Sequence, residues 1–194
     1  MLSVVIATEN AERCLVPTLS ALVPGATAGI IREVILADAG SSDGTAMIAD
    51  AAGCRIAVSS APLGARLRQA AASARSEWLL FLRPGAVPEW TWIEEIRRFI
   101  ERAELNGRVE ARAAAFRRTG EADTLGSALL EGAGLIAAAL GARPRPQQGL
   151  LIAKTLYERL GGHRDEDTDP EKKFLSRLGR RIVMLRSRAM MMGG

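Results

Sequence analysis

The stretch VILADAGSSDGTAMIAD, from Val34 to Asp50, is the clearest local signal in the chain. An apolar run typical of a strand ends at Asp38, and a turn rich in glycine and serine leads into a helix with Ser42 or Asp43 as its cap. A carboxylate at a strand end can accept hydrogen bonds from a ribose or an imide, and small turn residues let a ligand approach the backbone. The stretch therefore predicts a strand-turn-helix unit that either binds a ligand or is only a well-capped turn.

Strand and helix patterns alternate through the first half of the chain. The predicted strands are Ser3–Ala7, Glu33–Ala37, Arg55–Val58 and Trp78–Leu82, and the predicted helices are Ala11–Leu22, Asp43–Ala52, Leu63–Ala74 and Glu89–Ala103. This alternation predicts βαβ units, and hence an α/β fold with a mostly parallel central sheet flanked by helices.

The second half has a less regular pattern. We predict a strand at Arg108–Arg117, an apolar helix at Leu125–Leu140, a Pro-rich break at Arg143–Gln148, a strand at Gly149–Ala153, a short helix ending at Gly161, a helix near Glu171–Leu178 and a last strand at Arg181–Leu185. The apolar helix is shorter than the roughly 20 residues that span a membrane, so we expect it in the core or at an interface.

The formal net charge is +4 and is carried almost entirely by arginine, which suits an anionic partner such as phosphate, nucleic acid or an anionic membrane surface. Cys14 and Cys54 have no CxxC spacing, which disfavours a zinc site or a disulfide framework. The first ten residues lack the features of a signal peptide and are typical of a strand, so we expect a cytoplasmic protein.

Neither a GxGxxG pattern nor a Walker loop is present. The segment Ala7–Asn10 ends the first strand, which would lie beside Asp38 in a parallel sheet, and Gly64–Arg66 ends the loop after the third strand. Because the carboxyl ends of parallel strands meet at one edge, we expect these three loops to converge on one site.

Several of these motifs, in this order, resemble the N-terminal half of the family 2 glycosyltransferases, which have a GT-A fold. The stretches similar to that half are SVVIATENAERCLVPTLSAL, EVILADAGSSDGTAMIA and LGARLRQAAASARSEWLLFL. Further along, GLLIAKTLYERLGGHR resembles the family's later strand, helix and Gly-Gly turn, and FLSRLGRRIVMLRSRA resembles the end of its catalytic domain. The resemblance implies a GT-A-like fold and transfer of a sugar from a nucleotide-sugar donor to an acceptor hydroxyl, by single displacement with inversion. It also implies one domain over residues 1–189, with a nucleotide-binding half at 1–104 and an acceptor-side half at 105–189, followed by a flexible tail at 190–194.

The resemblance implies roles for individual residues by position. Thr8, Glu9, Asn10 and Asp38 would surround the nucleoside, and Arg66 would lie near the base or the phosphates.

The family's expected general base is the aspartate of a Glu-Asp pair. Counting back from the RLG at Arg177 puts Pro170-Glu171 at this pair, and Glu171 can accept a proton. A slip of one residue would put Asp169 there instead, and further acids lie nearby at Asp165, Glu166 and Asp167.

Two other departures from the family concern acidic residues. The family carries Asp-x-Asp, which helps to hold Mg²⁺ or Mn²⁺ against the donor diphosphate, where this chain has Arg83-Pro84-Gly85. These side chains offer no oxygen ligand to a divalent ion. Relatives carry Asp-Gln-Gly where this chain has Gln147-Gln148-Gly149. We therefore predict no metal and no other cofactor, with Arg83 contacting the diphosphate in place of the ion.

Two functions stay open. The leading hypothesis is a metal-independent glycosyltransferase with a nucleotide-sugar donor and an unidentified acceptor, and the alternative is an inactive relative that binds a nucleotide, a sugar or a protein partner. No aromatic platform interleaves the C-terminal arginines, so we predict no specific nucleic-acid binding. Peripheral contact with an anionic membrane, at its inner face, also stays open. We expect His163 in a plain loop, and Trp78, Trp90 and Trp92 in the core.

Overall fold

The computed structural model describes residues 1–118 and 144–192. Within these ranges the strands are β1 Leu2–Thr8, β2 Ile31–Asp38, β3 Arg55–Val58, β4 Trp78–Leu82, β5 Ala86–Pro88, β6 Ala113–Arg118, β7 Leu150–Ala153 and β8 Ile182–Met191. The α-helices are α1 Glu12–Thr27, α2 Thr45–Ala51, α3 Leu63–Ser73, α4 Trp92–Leu105, α5 Lys154–Arg159 and α6 Pro170–Leu178, and 3-10 turns lie at Pro146–Gln148 and Gly179–Arg181.

The described strands form one sheet in the order β3-β2-β1-β4-β7-β6-β8-β5. The first four of these strands run parallel, as the βαβ pattern predicts. Beyond β4 the sheet is mixed, because β7 is antiparallel to β4 and β6, β8 is parallel to β6, and β5 is antiparallel to β8. The register places Thr8 of β1 beside Asp38 of β2, and Ile6 of β1 beside Leu82 of β4.

The centre of the sheet is covered on both faces. All five residues of β4 are buried, which explains its continuous apolar sequence. Trp78 makes an edge contact with Phe99 of α4, with ring centroids 5.9 Å apart. Phe81, which points to the opposite face because side chains alternate along a strand, lies 5.2 Å from the ring of Tyr157 in α5.

Helix α1 continues past its predicted end at Leu22 as far as Thr27. Pro24 is exposed within it, and the following Gly25 lies under the indole of Trp92. A Cβ atom on Gly25 would lie 2.4 Å from Cη2 of Trp92, and the indole N–H donates to the carbonyl of Ala21 at 3.2 Å. The Pro-Gly pair therefore marks a helix contact rather than a helix end.

The C-terminal strand is longer than predicted. Pro84-Gly85 is followed by a short strand that we did not predict, β5, whose Ala86 pairs with Met191 of β8. Residues 190 and 191, which we expected in a flexible tail, thus belong to the sheet. The strand predicted from Arg108 begins only at Ala113, because residues 108–111 form a turn.

Two of the three tryptophans lie in the core, as expected. Trp78 and Trp92 are each 1% exposed, whereas Trp90 is 89% exposed and the prediction of core packing is wrong for it.

The apolar helix predicted at Leu125–Leu140 lies outside the described residues. Of the helices that the structure describes, none combines the length and the apolar character needed to cross a bilayer.

The contact between Gly25 and Trp92 can be tested by Gly25→Ala. Overpacking costs about 1–3 kcal/mol, and a Cβ atom 2.4 Å from a buried ring atom belongs to the upper part of that range. The gain in helix propensity offsets about 1 kcal/mol, so we expect the free energy of unfolding in urea to fall by about 1–2 kcal/mol. In the presence of Trp92→Phe, which shortens the ring, the loss should be smaller than with the indole. Ser20→Ala, at an exposed position of α1, is the control. An unchanged stability of Gly25→Ala would contradict the close packing.

Candidate functional site

The turn after β2 is built around the carboxylate of Asp38. Its Oδ1 accepts hydrogen bonds from the hydroxyls of Thr8 at 2.7 Å and Ser41 at 2.6 Å, and its Oδ2 accepts from the backbone N–H groups of Gly40 at 2.9 Å and Ser41 at 2.7 Å. Asp38 is 2% exposed. Burial opposes the ionised form, but the hydrogen bonds from Ser41, Thr8 and Gly40 outweigh it and leave the pKa of Asp38 below its ordinary value.

A second set of hydrogen bonds joins this turn to the turn after β1. The backbone N–H of Asn10 donates to the hydroxyl of Ser41 at 2.9 Å, and Oδ1 of Asn10 accepts from the N–H of Ser42 at 2.9 Å. Asn10 has a positive φ of 48°, a conformation that asparagine tolerates better than most residues. Glu12 adds a bond from the N–H of Gly44 to its Oε2 at 2.9 Å. The two turns therefore form one braced unit.

The sequence did not single out Ser41 or Glu12 for this bracing. The spacing Asp-x-Gly-Ser-x-Asp-Gly-Thr contained the signal, because a short carboxylate followed by small residues closes such turns through its own backbone. The hydrogen bonds of Asp38 therefore stabilise the turn itself. Its contact with a nucleoside stays a prediction.

Arg66 is buried at the carboxyl ends of β1 and β2. It extends from α3, is 7% exposed, and donates from Nη1 to the carbonyls of Thr8 at 3.1 Å and Ala37 at 2.6 Å. Its Nε is buried and makes no hydrogen bond within the described part of the chain. The predicted residues Thr8, Asn10, Asp38 and Arg66 thus lie together, and the remaining one, Glu9, is exposed at the same turn.

Arg83 and Glu171, predicted to bind the diphosphate and to act as the base, contact each other. Nε of Arg83 donates to Oε2 of Glu171 at 2.8 Å, and Nη2 of Arg83 donates to the same oxygen. The side chains are 33% and 13% exposed, respectively. Partial burial opposes the charge of Arg83, but the hydrogen bonds and charge of Glu171, with the charge of Asp169, raise the pKa of the guanidinium above its ordinary value.

The local sequence places Glu171 in the first turn of α6. Asp169 is the N-cap of this helix and accepts from the N–H of Lys172 at 3.0 Å, and Pro170 occupies the first helical position. Asp165 forms an ion pair with Arg68 at 2.7 Å. Asp169 and Asp165, two of the alternative candidates for the base, therefore already have other partners. Glu171 is the acid that contacts Arg83.

The segment Gln147-Gln148-Gly149 closes the loop beside this ion pair. Nε2 of Gln148 donates to the carbonyl of Phe116 at 2.8 Å, and its Oε1 accepts from the N–H of Arg145 at 2.7 Å. Gly149 has φ of 68°, and a Cβ atom there would lie 3.2 Å from the carbonyl oxygen of Phe81. Glu171 also lines a cavity of about 10 Å³ next to Gly149, which leaves room for about one water molecule and not for a sugar.

His163 lies in a loop, as we expected, but its side chain is buried. It is 2% exposed, its Nδ1 lies 2.9 Å from the hydroxyl of Tyr157, and it packs against the rings of Phe81 and Phe174. Burial, together with the positive charge of Arg177, lowers the pKa of His163 to about 3. The imidazole is therefore neutral at physiological pH and supports the loop that leads to α6.

The residues after β4 do not fit a divalent cation. A guanidinium repels such an ion, and the carboxylate nearest to it, Glu171, is already neutralised by Arg83. Across residues 1–118 and 144–192, no three histidine, cysteine, aspartate or glutamate side chains cluster closely enough to hold a metal.

The sequence of this chain matches one known protein family, and its fold is similar to that of several solved structures. A sequence model of the family described as Glycosyl transferase family 2 matches residues 3–123. Comparison with curated protein sequences gives no significant match.

The crystal structure of S. aureus TarS 1-349 is similar with a TM-score of 0.68 and 15% identity, over 98% of this chain and 60% of that one. The complex of TarS 1-349 with UDP-GlcNAc has a TM-score of 0.67 and 17% identity, over 100% and 59%. Glucosyl-3-phosphoglycerate synthase from Mycobacterium tuberculosis, in complex with Mn²⁺, UDP and glucosyl-3-phosphoglycerate, has a TM-score of 0.69 and 17% identity, over 100% and 72%. The fold is that of the GT-A glycosyltransferases. The chain spans about 60% of the length of TarS 1-349.

The bracing role of Asp38 predicts a loss of stability in Asp38→Asn. The amide keeps one acceptor oxygen where the carboxylate has two, and it removes the negative charge that strengthens all four hydrogen bonds, so we expect the free energy of unfolding in urea to fall by about 1–3 kcal/mol. Asp50→Asn, on the exposed face of α2, should change it by less than about 0.5 kcal/mol. Equal stability of the two variants would show that Asp38 does not support the turn.

The burial of His163 predicts a pH-dependent stability. Its pKa is lower in the folded state than the ordinary 6.5, so the unfolded state binds the extra proton and stability falls as the pH drops from about 6.5 towards 3. Between pH 6.5 and 5 this contribution is at most about 2 kcal/mol. His163→Phe should flatten the fall in urea-unfolding free energy over that range. The same pH dependence in wild type and variant would rule out a neutral, buried imidazole.

Proposed function

The chain belongs to glycosyl transferase family 2, and on this basis we propose that it transfers a sugar from a nucleotide-sugar donor to an acceptor hydroxyl. The observation that carries the proposal is the braced pair of turns at the carboxyl ends of β1 and β2, inside the matched segment and next to Arg83 and Glu171. In an open α/β sheet this edge is where ligands bind.

In this proposal the donor nucleoside lies on the braced turns. Thr8, Asn10 and Asp38 hold the shape of this surface through their mutual hydrogen bonds. Glu9 is exposed there and makes no hydrogen bond or ion pair in the described ranges, so its carboxylate can accept from a ribose hydroxyl. Arg66 stabilises the strand ends below and places positive charge near the base or the phosphates.

The chemical step uses Arg83 and Glu171. The acceptor hydroxyl gives its proton to Glu171 as its oxygen bonds to the anomeric carbon of the sugar. The bond from that carbon to the diphosphate breaks, and its electron pair leaves on the phosphate oxygen. Arg83 stabilises the negative charge that develops there, as preorganised cationic donors do in other transferases. In this proposal the positive charge at the diphosphate comes from Arg83, and no step uses a divalent ion.

The identities of donor and acceptor are matters for experiment. Structures similar to this chain hold UDP or UDP-GlcNAc, so UDP-sugars are the first donors to test. A cytoplasmic location stays a prediction, and peripheral contact with an anionic membrane, which the arginine-rich charge would suit, stays open.

The proposal predicts release of nucleoside diphosphate from a panel of UDP- and GDP-sugars, at the same rate in EDTA and in Mn²⁺. Hydrolysis of the donor can serve as the measurement, since water can replace the unknown acceptor. Glu171→Gln should lower the rate by about 10²-fold or more, which is the usual contribution of a general base. Activity in Mn²⁺ alone would contradict metal independence.

Turnover and binding separate the leading function from the alternative. Thermal stabilisation by UDP or GDP without turnover of any donor would favour the inactive, nucleotide-binding relative. If the protein showed no turnover of any donor and no stabilisation by either nucleotide, the proposed function would be wrong.

A further inference from the structure

The contact between Arg83 and Glu171 joins two distant parts of the chain at one point of the site. Arg83 follows β4, and Glu171 lies 88 residues later in the first turn of α6. Resting on the proposed function, we infer that Glu171 occupies the anion site of Arg83 in the free protein, and that the donor diphosphate displaces it. The displaced carboxylate then becomes the proton acceptor.

The geometry of the pair leaves room for a better anion. Both Nε and Nη2 of Arg83 donate to Oε2 of Glu171, and Oε1 makes no hydrogen bond in the part of the chain that the structure describes. The parallel, two-oxygen arrangement that a guanidinium forms with carboxylates or phosphates is therefore not made here. A phosphate group can offer two oxygens to the same edge, and a diphosphate also carries more negative charge.

The pair is also accessible. One third of the Arg83 side chain is exposed, whereas Glu171 is largely covered. A ligand can therefore reach the guanidinium from solvent without unfolding the surrounding structure. Asp169, whose charge also acts on Arg83, is held as the cap of α6 and cannot follow the guanidinium. Glu171 is the anion that the ligand has to replace.

The exchange connects donor binding to the chemical step. While Arg83 holds it, Oε2 of Glu171 already accepts two hydrogen bonds from the guanidinium and is not free to take a proton. When the diphosphate takes over the guanidinium, the carboxylate loses that partner and can accept the proton of the acceptor hydroxyl. The base is thus freed only when a donor is present.

The test is the affinity for UDP, inorganic pyrophosphate and uridine, measured by calorimetry in EDTA on the full chain. Glu171→Gln removes the competing charge, so it should bind UDP and pyrophosphate more tightly, on the order of tenfold, the scale of one charge-assisted hydrogen bond. Its affinity for uridine should stay unchanged, and its rate of donor turnover should fall despite the tighter binding. Arg83→Ala should bind UDP and pyrophosphate more weakly, again with uridine unchanged.

Three further variants complete the experiment. In Arg83→Ala the added Glu171→Gln should give no gain in affinity, because no guanidinium remains to be freed. Glu94→Gln is the matched control, since Glu94 also pairs with an arginine, Arg98 at 2.9 Å, but on the exposed face of α4. It should leave all three affinities unchanged. Arg83→Lys keeps the charge without the fork and should lie between Arg83→Ala and wild type.

The outcomes distinguish this inference from the proposed function. If Arg83→Ala weakens UDP binding and Glu171→Gln does not strengthen it, the exchange is wrong, although Arg83 still binds the diphosphate and the proposed function stands. If neither variant changes UDP affinity, Arg83 is not the diphosphate site. If the folded wild type binds none of the three probes, both the exchange and the proposed function fail.

Discussion

The parallel register of β1 with β2 and β4 determines where chemistry can occur in this chain. It places Thr8 beside Asp38 and Ile6 beside Leu82, so three strand ends meet at one edge. The buried guanidinium of Arg66 joins two of these ends by donating to the carbonyls of Thr8 and Ala37. Since Arg83 follows Leu82 directly, the same register brings the cation to the braced turns without any further element.

The charge after β4 decides which ligands this edge accepts. With two carboxylates there, a divalent ion would be attracted and would in turn attract the diphosphate. With Arg83, the positive charge is part of the protein. The free site then needs an anion to neutralise a partly buried guanidinium, and Glu171 supplies it. In our proposal this arrangement disfavours a cation, whereas a second anion can compete with Glu171.

Much of the fold of residues 1–104 could be predicted from the sequence because its signals are local. Continuous apolar runs identify β1 and β4, and the turn after Asp38 follows from small residues at fixed spacing. The role of Asp38 within its own turn was harder to predict, because a carboxylate at a strand end can accept hydrogen bonds from a ligand as well as from backbone N–H groups. For Gly25, the pattern Pro-Gly indicates a helix end, and only the position of Trp92 shows that it is a packing site.

Features that depend on long-range packing could not be derived in this way. The pairing of β5 with the end of β8 requires knowing that the chain returns beside Ala86, which no periodicity within either segment contains. The burial of His163 depends on Phe81, Tyr157 and Phe174 from three different elements. The contact of Arg83 with Glu171 also depends on long-range packing. The spacing of the motifs assigns a position in the family pattern to each residue, but it does not show that the two side chains touch.

The two replacements at this contact depend on each other. A site that had merely lost its acids would leave Arg83 partly buried and unpaired, which is costly because desolvation penalises a lone charge. Glutamate at position 171, where the family resemblance expects an aspartate, has one more methylene group in its side chain, and its carboxylate contacts the guanidinium. Arginine in place of the metal ligands and glutamate in place of the expected base therefore form a neutral pair. A neutral pair of one partly exposed cation and one largely covered anion fits our proposal, in which an anionic donor, rather than a metal ion, reaches the site first.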